Sequence, residues 1–311
     1  MSESPLRCGR VAVVGRPNAG KSTFLNTVLG QKVSITSARP QTTRTRVVGI
    51  CNLDNAQIVI IDTPGHHEAW TPLNKALVAT AENAMQDVDA VLLLVDLIPA
   101  TRQAEGERVI ISKGEKVLLE RVVEVGRPVV LGLNKVDAVP RLWTLPVIEA
   151  WSALHSFTHI IPMSARDEGD TRRVLDSLIP LLPVQEPLYP TDQLMDGSER
   201  FLVAEILREQ AFHLLREELP YAVAVQIEQF DESLRESEGR VEILARLLVE
   251  RDSQKGIVIG KGGEMLKRIG TAARKAMNTL LDCRVHLELH VSVAPSWSSD
   301  PRMLRKLGLE E

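Results

Sequence analysis

Gly15-Arg16-Pro17-Asn18-Ala19-Gly20-Lys21-Ser22-Thr23 has the spacing G-x-x-x-x-G-K-[ST], set between the apolar run Val11 to Val14 and a segment of helical period. Such a loop presents successive backbone N–H groups and a helix N-terminus to the α- and β-phosphates of a nucleotide. Lys21 then reaches the β- and γ-phosphates, and the Ser22 hydroxyl sits on Mg²⁺. Asp62-Thr63-Pro64-Gly65 follows the run Ile58 to Ile61. An aspartate there suits Mg²⁺, held through water, and the Gly65 N–H suits sensing of a γ-phosphate.

Asn134-Lys135-Val136-Asp137 follows the run Val129 to Leu133. The Asp137 carboxylate accepts from guanine N1–H and the 2-amino group together, and adenine offers no such donor pair. A buried carboxylate left unpaired disfavours adenine by several kcal/mol, on the order of 10³ in affinity. Asn134 is expected to bridge the base and the phosphate loop, with the Lys135 stem along the purine. Ser164-Ala165-Arg166, after the next apolar run, is placed for a backbone N–H to meet guanine O6. The nucleotide so read is GTP or GDP with Mg²⁺, the metal being held by Ser22 and Asp62.

The elements that must carry these loops are short apolar runs at Val11 to Val14, Ile58 to Ile61, Val91 to Val95, Val129 to Leu133 and Ile160 to Met163. Helical segments are expected between most of them, over Pro72 to Met85 and Arg102 to Val125, which predicts an α/β domain with a mostly parallel sheet. Val47 to Asn52 is joined to Ile58 by too few residues for a crossover, so this pair is predicted to be an antiparallel hairpin at the sheet edge. Four prolines (Pro180, Pro183, Pro187, Pro190) predict an extended linker over 181–198. Residues 1–180 form the first domain in this reading, 199–297 the second, and 298–311 a tail. In the second domain a helix is expected over Glu199 to Leu215, and strands over Tyr221 to Phe230, Arg240 to Glu250 and the strictly alternating Val285 to Val293.

Composition narrows the function. The chain has 311 residues, a net charge of −4 and 4% aromatics, so binding of a polyanion must use a local basic patch and few rings. Three widely spaced cysteines match neither a disulfide framework nor a metal spacing, and point to a reducing compartment. No apolar run approaches the roughly 20 residues of a spanning helix, and the N-terminus lacks a signal-peptide core, which together predict a soluble cytoplasmic protein. His155 and His159 lack a third ligand, Asp87 and Asp89 read as turn residues, and the four tryptophans read as surface cover. Arg44 and Arg46 read as exposed arginines.

In order and context, the four nucleotide segments resemble the P-loop GTPases of the translation-factor-related class. Together with SITSARPQTTRTR (34–46) and IVIGKGG (257–263), they resemble more closely the Era family of bacterial GTPases, over nearly the whole chain. That resemblance implies a GTPase domain followed by a type II KH domain of order α-β-β-α-α-β over 199–297. It also implies a GTP-hydrolysing switch that binds the 3′ region of small-subunit 16S ribosomal RNA and assists small ribosomal subunit assembly. A monomer with peripheral contact at the inner face of the cell membrane belongs to the same expectation.

The resemblance places the switch threonine at Thr43, with Thr42 the alternative, and catalysis is read on Lys21, Thr43, Gly65, His66 and Asn18. Of these, His66 departs from the apolar residue usual in the Era family and resembles the DxPGH of translation factors, and Asn18 resembles the loop asparagine of potassium-stimulated GTPases. His66 either orients the attacking water or is a plain exposed switch residue. Asn18 either helps to hold a K⁺ near the β-phosphate or braces the first switch. Gly260-Lys261-Gly262-Gly263 becomes the GXXG clamp of about four nucleotides. Lys261, Lys267, Arg268, Arg274 and Lys275 supply charge there, and Ile257, Val258, Ile259 and Ile269 an apolar floor. By propensity Gly256 to Gly260 reads as a strand, whereas a KH fold makes it a short helix. Two rival readings remain: an RNA-binding chaperone in which hydrolysis only times release, and a translation-factor GTPase, which the lack of an evident β-barrel after residue 180 disfavours.

Overall fold

The computed structural model describes residues 6–36, 44–63, 73, 79–80, 84–102 and 109–309. They separate into two compact units, with the change from one to the other between Asp196 and Gly197. The expected helix over Pro72 to Met85 falls largely outside the described residues.

The first unit is built on a seven-stranded sheet of order β6-β5-β4-β1-β3-β2-β7. Its strands are β1 (Arg7–Gly15), β2 (Val47–Leu53), β3 (Ala56–Asp62), β4 (Ala90–Asp96), β5 (Val129–Asn134), β6 (His159–Met163) and β7 (Met195–Asp196). β1 pairs parallel with β3 and β4, and β5 with β4 and β6, while β2 runs antiparallel to β3 as the hairpin predicts. All seven residues of β3 are buried, as are all six of β5. A central strand covered on both faces has no polar side to show, hence its unbroken apolar run.

Helices α1 (Lys21–Leu29), α2 (Leu97–Arg102), α3 (Lys113–Glu124), α4 (Thr144–Ser152) and α5 (Glu168–Leu178) belong to this unit. The helix expected from Arg102 instead begins at Lys113. Ser112 caps it, its Oγ accepting from Glu115 N at 3.3 Å while the Glu115 carboxylate accepts from Ser112 N at 2.9 Å. That reciprocal S-x-x-E box satisfies two orphan amides and fixes the start.

The proline-rich segment is bound along the sheet edge. Gln57 of β3, only 2% exposed, accepts from Leu188 N at 2.8 Å and Tyr189 N at 3.0 Å, and its Nε2 donates to Tyr189 O at 2.8 Å. Asn52 Nδ2 donates to Thr191 O at 2.9 Å, and Ile50 N to Leu194 O at 2.9 Å. β7 then pairs antiparallel with β2. A second antiparallel strand therefore covers the edge that β2 alone was expected to form.

The second unit runs α6 (Glu199–Leu214), α7 (Leu219–Ala222), β8 (Ala224–Asp231), α8 (Arg235–Glu238), β9 (Arg240–Val249), α9 (Asp252–Ile259), α10 (Glu264–Leu281), β10 (Arg284–Val293) and α11 (Pro301–Lys306). Its sheet has the order β10-β9-β8, with β10 parallel and β8 antiparallel to β9. Val203, Leu207 and Ala211 of α6 join Ile269, Ala273, Met277 and Leu281 of α10 in one core over the sheet. Spacing of four along α10 leaves the opposite face polar.

Residues 252–259 are helical, so the β-branched propensity of this run is overridden. Gln254 Oε1 accepts from Glu250 N at 2.9 Å and Arg251 N at 3.1 Å, which fixes the first turn. Helical phase then sends Val258 into the core, fully buried, and leaves Ile257 55% exposed. The tail is packed: Trp297 is fully buried with Nε1 donating to Ala222 O at 3.0 Å, and Leu304 of α11 is 2% exposed. Trp151 is likewise core at 1%, so both tryptophans are interior groups and not surface cover.

Because Met277 is fully buried in this core, Met277→Ala is expected to cost about 2–5 kcal/mol. Hydrogen-exchange stability of the β9 amides measures it, and the amides of β1 should be unaffected.

Candidate functional site

Backbone geometry shapes the phosphate loop between β1 and α1. Gly20 has φ 99°, and a Cβ there would lie 2.1 Å from Asn134 Nδ2, so both conformation and space demand glycine. A Cβ at Gly15 would meet Leu94 O at 2.5 Å. Asn18 takes the left-handed conformation at φ 65° and is exposed on the loop. Lys21 is 6% exposed, its Nζ donating to Gly15 O at 3.1 Å and Arg16 O at 3.3 Å, which folds it back over the loop. Burial holds its pKa below that of an ordinary lysine, and Asp62 pulls it back up.

Asp62 ends β3 and is fully buried. Its Oδ2 accepts from Ser22 Oγ at 2.7 Å and Ser34 Oγ at 2.9 Å, while among the described residues Oδ1 has no hydrogen-bond partner. Burial pushes its pKa up, against the pull of Lys21, Ser22 and Ser34. A buried carboxylate oxygen without a donor, beside a serine hydroxyl, is a donor set that suits a hard divalent cation such as Mg²⁺. Sequence alone does not single out Ser34. Its place is set by Asn26, whose Oδ1 accepts from Val33 N and Ser34 N, both at 2.9 Å.

At the other end of the site, Asn134 joins three loops. Its Nδ2 donates to Ala19 O at 2.7 Å, and its Oδ1 accepts from Lys135 N and Ala165 N, both at 2.8 Å. Thr27 Oγ1 donates to Ala165 O at 2.8 Å, and Ser164 N donates to Asp170 Oδ2 at 2.7 Å. Asn134, Ser164 and Ala165 are buried, whereas Asp137 and Arg166 are exposed. The expected bridge from Asn134 to the phosphate loop is present, and its second arm goes to the 164–166 loop.

Several expectations need revision. The Thr63 side chain is fully buried and donates to Val13 O at 3.0 Å, so its hydroxyl holds β3 to β1 and does not face a ligand. Arg44 is 2% exposed and is no surface arginine, while Arg46 is exposed. Asp89 accepts from Arg10 N at 2.7 Å as a turn residue. No cluster of three metal-ligating side chains occurs among the described residues. Thr42, Thr43, Pro64, Gly65, His66, His67 and Trp70 lie outside the described residues.

The second glycine loop is a tight turn between α9 and α10. Gly260, Gly262 and Gly263 have φ of 74°, 61° and 81°, and a Cβ at Gly260 would meet Met265 Cβ at 2.8 Å. Lys261 on this turn, Lys267 and Arg268 in the first turns of α10, and Arg274 and Lys275 further along it are all exposed. Ile257 is 55% exposed and Ile259 partly so, but Val258 and Ile269 are fully buried. The apolar floor is therefore reduced to Ile257 and Ile259.

Asp62 generates a test with a defined sign. Its raised folded pKa means that the ionised carboxylate opposes folding at neutral pH. Asp62→Asn is expected to raise the melting temperature of the metal-free, nucleotide-free protein at pH 7. The gain disappears below pH 3.8, where the carboxyl is protonated in both states. The same variant should lose the Mg²⁺ dependence of nucleotide affinity, read by titration with and without Mg²⁺.

Comparison with known proteins matches a family in each unit. Residues 10–135 match the family described as 50S ribosome-binding GTPase, and residues 218–298 match the KH domain. The chain is 45% identical over 310 residues to GTPase Era of Geotalea uraniireducens (strain Rf4), covering 100% of both chains. It is 46% identical over 308 residues to GTPase Era of Geobacter metallireducens (strain ATCC 53774 / DSM 7210 / GS-15), covering 99% of each. A solved structure of a substituted Aquifex aeolicus Era bound to GDP·AlF4− superposes with a TM-score of 0.89 at 35% identity, over 98% of this chain and 100% of that one. Era in complex with MgGDPNP and nucleotides 1506–1542 of 16S ribosomal RNA gives 0.89 at 36% identity, with the same coverage. With a glycine loop knitted to a guanine-type loop in one unit and a GXXG turn in the other, this chain belongs to the Era family of GTPases.

Proposed function

We propose that the chain is a GTP-hydrolysing switch that binds the 3′ region of 16S ribosomal RNA through its KH domain and assists small ribosomal subunit assembly. The observation that carries the RNA half is the Gly260–Gly263 turn. Its positive-φ backbone lies open between the exposed Ile257 and the basic face of α10. Absent side chains admit a sugar-phosphate backbone, and the exposed lysines and arginines neutralise it. A relative of 36% identity bound to 16S nucleotides supports the same ligand.

In the nucleotide half, the Gly15–Thr23 amides bind the phosphates and Lys21 spans the β- and γ-positions. Ser22, Asp62 and Thr43 hold Mg²⁺, which supplies charge neutralisation on the phosphates when bound. Asp137 accepts the two guanine donors, and Asn134 keeps its loop in register with the phosphate loop. Gly65 senses the γ-phosphate, and His66 orients the attacking water. No helix of the described residues is long and apolar enough to cross a membrane. A cytoplasmic monomer with peripheral contact at the inner membrane face is the setting we infer.

Coupling distinguishes this switch from a chaperone that uses hydrolysis only for release. Affinity for a 16S 3′-end oligonucleotide is expected to differ at least tenfold between the GTP-analogue, GDP and empty states, as measured by fluorescence anisotropy. Equal affinities in all three overturn the switch. Asn18, exposed at φ 65° on the loop, further predicts faster turnover in KCl than in NaCl, through a K⁺ near the β-phosphate. Equal rates in the two salts refute that role.

A further inference from the structure

Asp96 belongs to none of the sequence motifs, yet it stands beside the guanine-type loop. It is the last residue of β4 and lies in register with Asn134 of β5. Its Oδ2 pairs with Lys135 Nζ at 2.5 Å, with side-chain exposures of 19% for Asp96 and 31% for Lys135. Its Oδ1 accepts from Ile98 N at 2.9 Å, in the first turn of α2. The carboxylate thus has one oxygen for a helix start and one for a lysine from the neighbouring strand end.

Lys135 needs such a restraint. It sits at φ 70° in the left-handed region, which costs a non-glycine residue about 1–2 kcal/mol. Its own N–H is taken by Asn134 Oδ1 at 2.8 Å. Backbone geometry therefore fixes where the side chain begins, and Asp96 fixes where it ends. A lysine stem held at both ends is a rigid apolar bar, whereas a free lysine samples many rotamers in solvent.

We propose that Asp96 is a positioning residue for guanine-nucleotide binding: it draws the Lys135 stem taut across the β4 and β5 ends as the surface on which the purine lies. This deepens the reading of Asn134 to Asp137 as the guanine loop and rests on it. Asp96 acts on how long the nucleotide stays, since its partners are Lys135 and α2, and the pair Lys21 and Asp62 serves the phosphates.

The test measures release of a fluorescent GDP analogue from the full chain, with Asp96→Asn, Asp96→Glu, Lys135→Ala and the double variant Asp96→Asn/Lys135→Ala. Asparagine keeps an oxygen for Ile98 N and removes only the charge, so its melting temperature should fall by no more than a few degrees. Release is expected to speed up about two- to fivefold in Asp96→Asn, the worth of a partly shielded ion pair. Asp96→Glu should recover part of the loss, KM for GTP should rise, and kcat should hold. In the Lys135→Ala background Asp96→Asn should add nothing further. Parent-like release from Asp96→Asn, or the same fold-increase in both backgrounds, overturns the proposal. A parent protein that fails to retain the GDP analogue instead overturns the nucleotide reading of the site.

Discussion

One side-chain amide holds the nucleotide site together. Asn134 donates to the phosphate loop at Ala19 and accepts from Lys135 and Ala165. Three loops that are far apart in sequence thereby share one rigid reference at the end of β5. Gly20 shows how tight this is, because the space its Cβ would take is filled by Asn134 Nδ2. An amide donates from one atom and accepts at another, whereas a carboxylate cannot donate and a lysine cannot accept. Precise loop placement matters because misplacement of an ångström at a phosphate is costly.

The charge distribution follows from that frame. Lys21 and Asp62 are both buried and each is strained electrostatically, the lysine toward losing its proton and the aspartate toward gaining one. An anion at the lysine and a divalent cation at the aspartate would relieve both at once. The site is thereby preorganised for two ligands of opposite sign.

Much of this was legible in the sequence, because it is written in local spacing. The G-x-x-x-x-G-K-S loop, DTPG and NKVD each occupy a few consecutive residues at a strand end, and buried parallel strands read as apolar runs. What was not legible depends on pairs distant in sequence. Ser34 reaches Asp62 across 28 residues and Lys135 reaches Asp96 across 39, and no local pattern marks either. Helical period places the start of α3 too early, although Ser112-Lys113-Gly114-Glu115 carries a capping signature. Period alone does not say where a helix begins. In the second unit, the β-branched run at 257–259 misleads in isolation. A helix divides its residues unevenly between core and solvent, so Val258 and Ile269 are buried while Ile257 stays exposed.

Gln57 bears on where the first domain can be cut. Its side-chain amide is inside the protein and makes three hydrogen bonds with Leu188 and Tyr189, beside those to Asn52 and Cys8. A fragment ending at residue 180, the boundary that the prolines suggest, would leave that amide only Asn52 and Cys8 and bare the β2 edge at Val48 to Ile50. Unpaired edges of this kind recruit strands from other molecules. The first compact unit extends through Asp196, and the proline-rich stretch serves as its hem, closing a sheet that would otherwise be sticky.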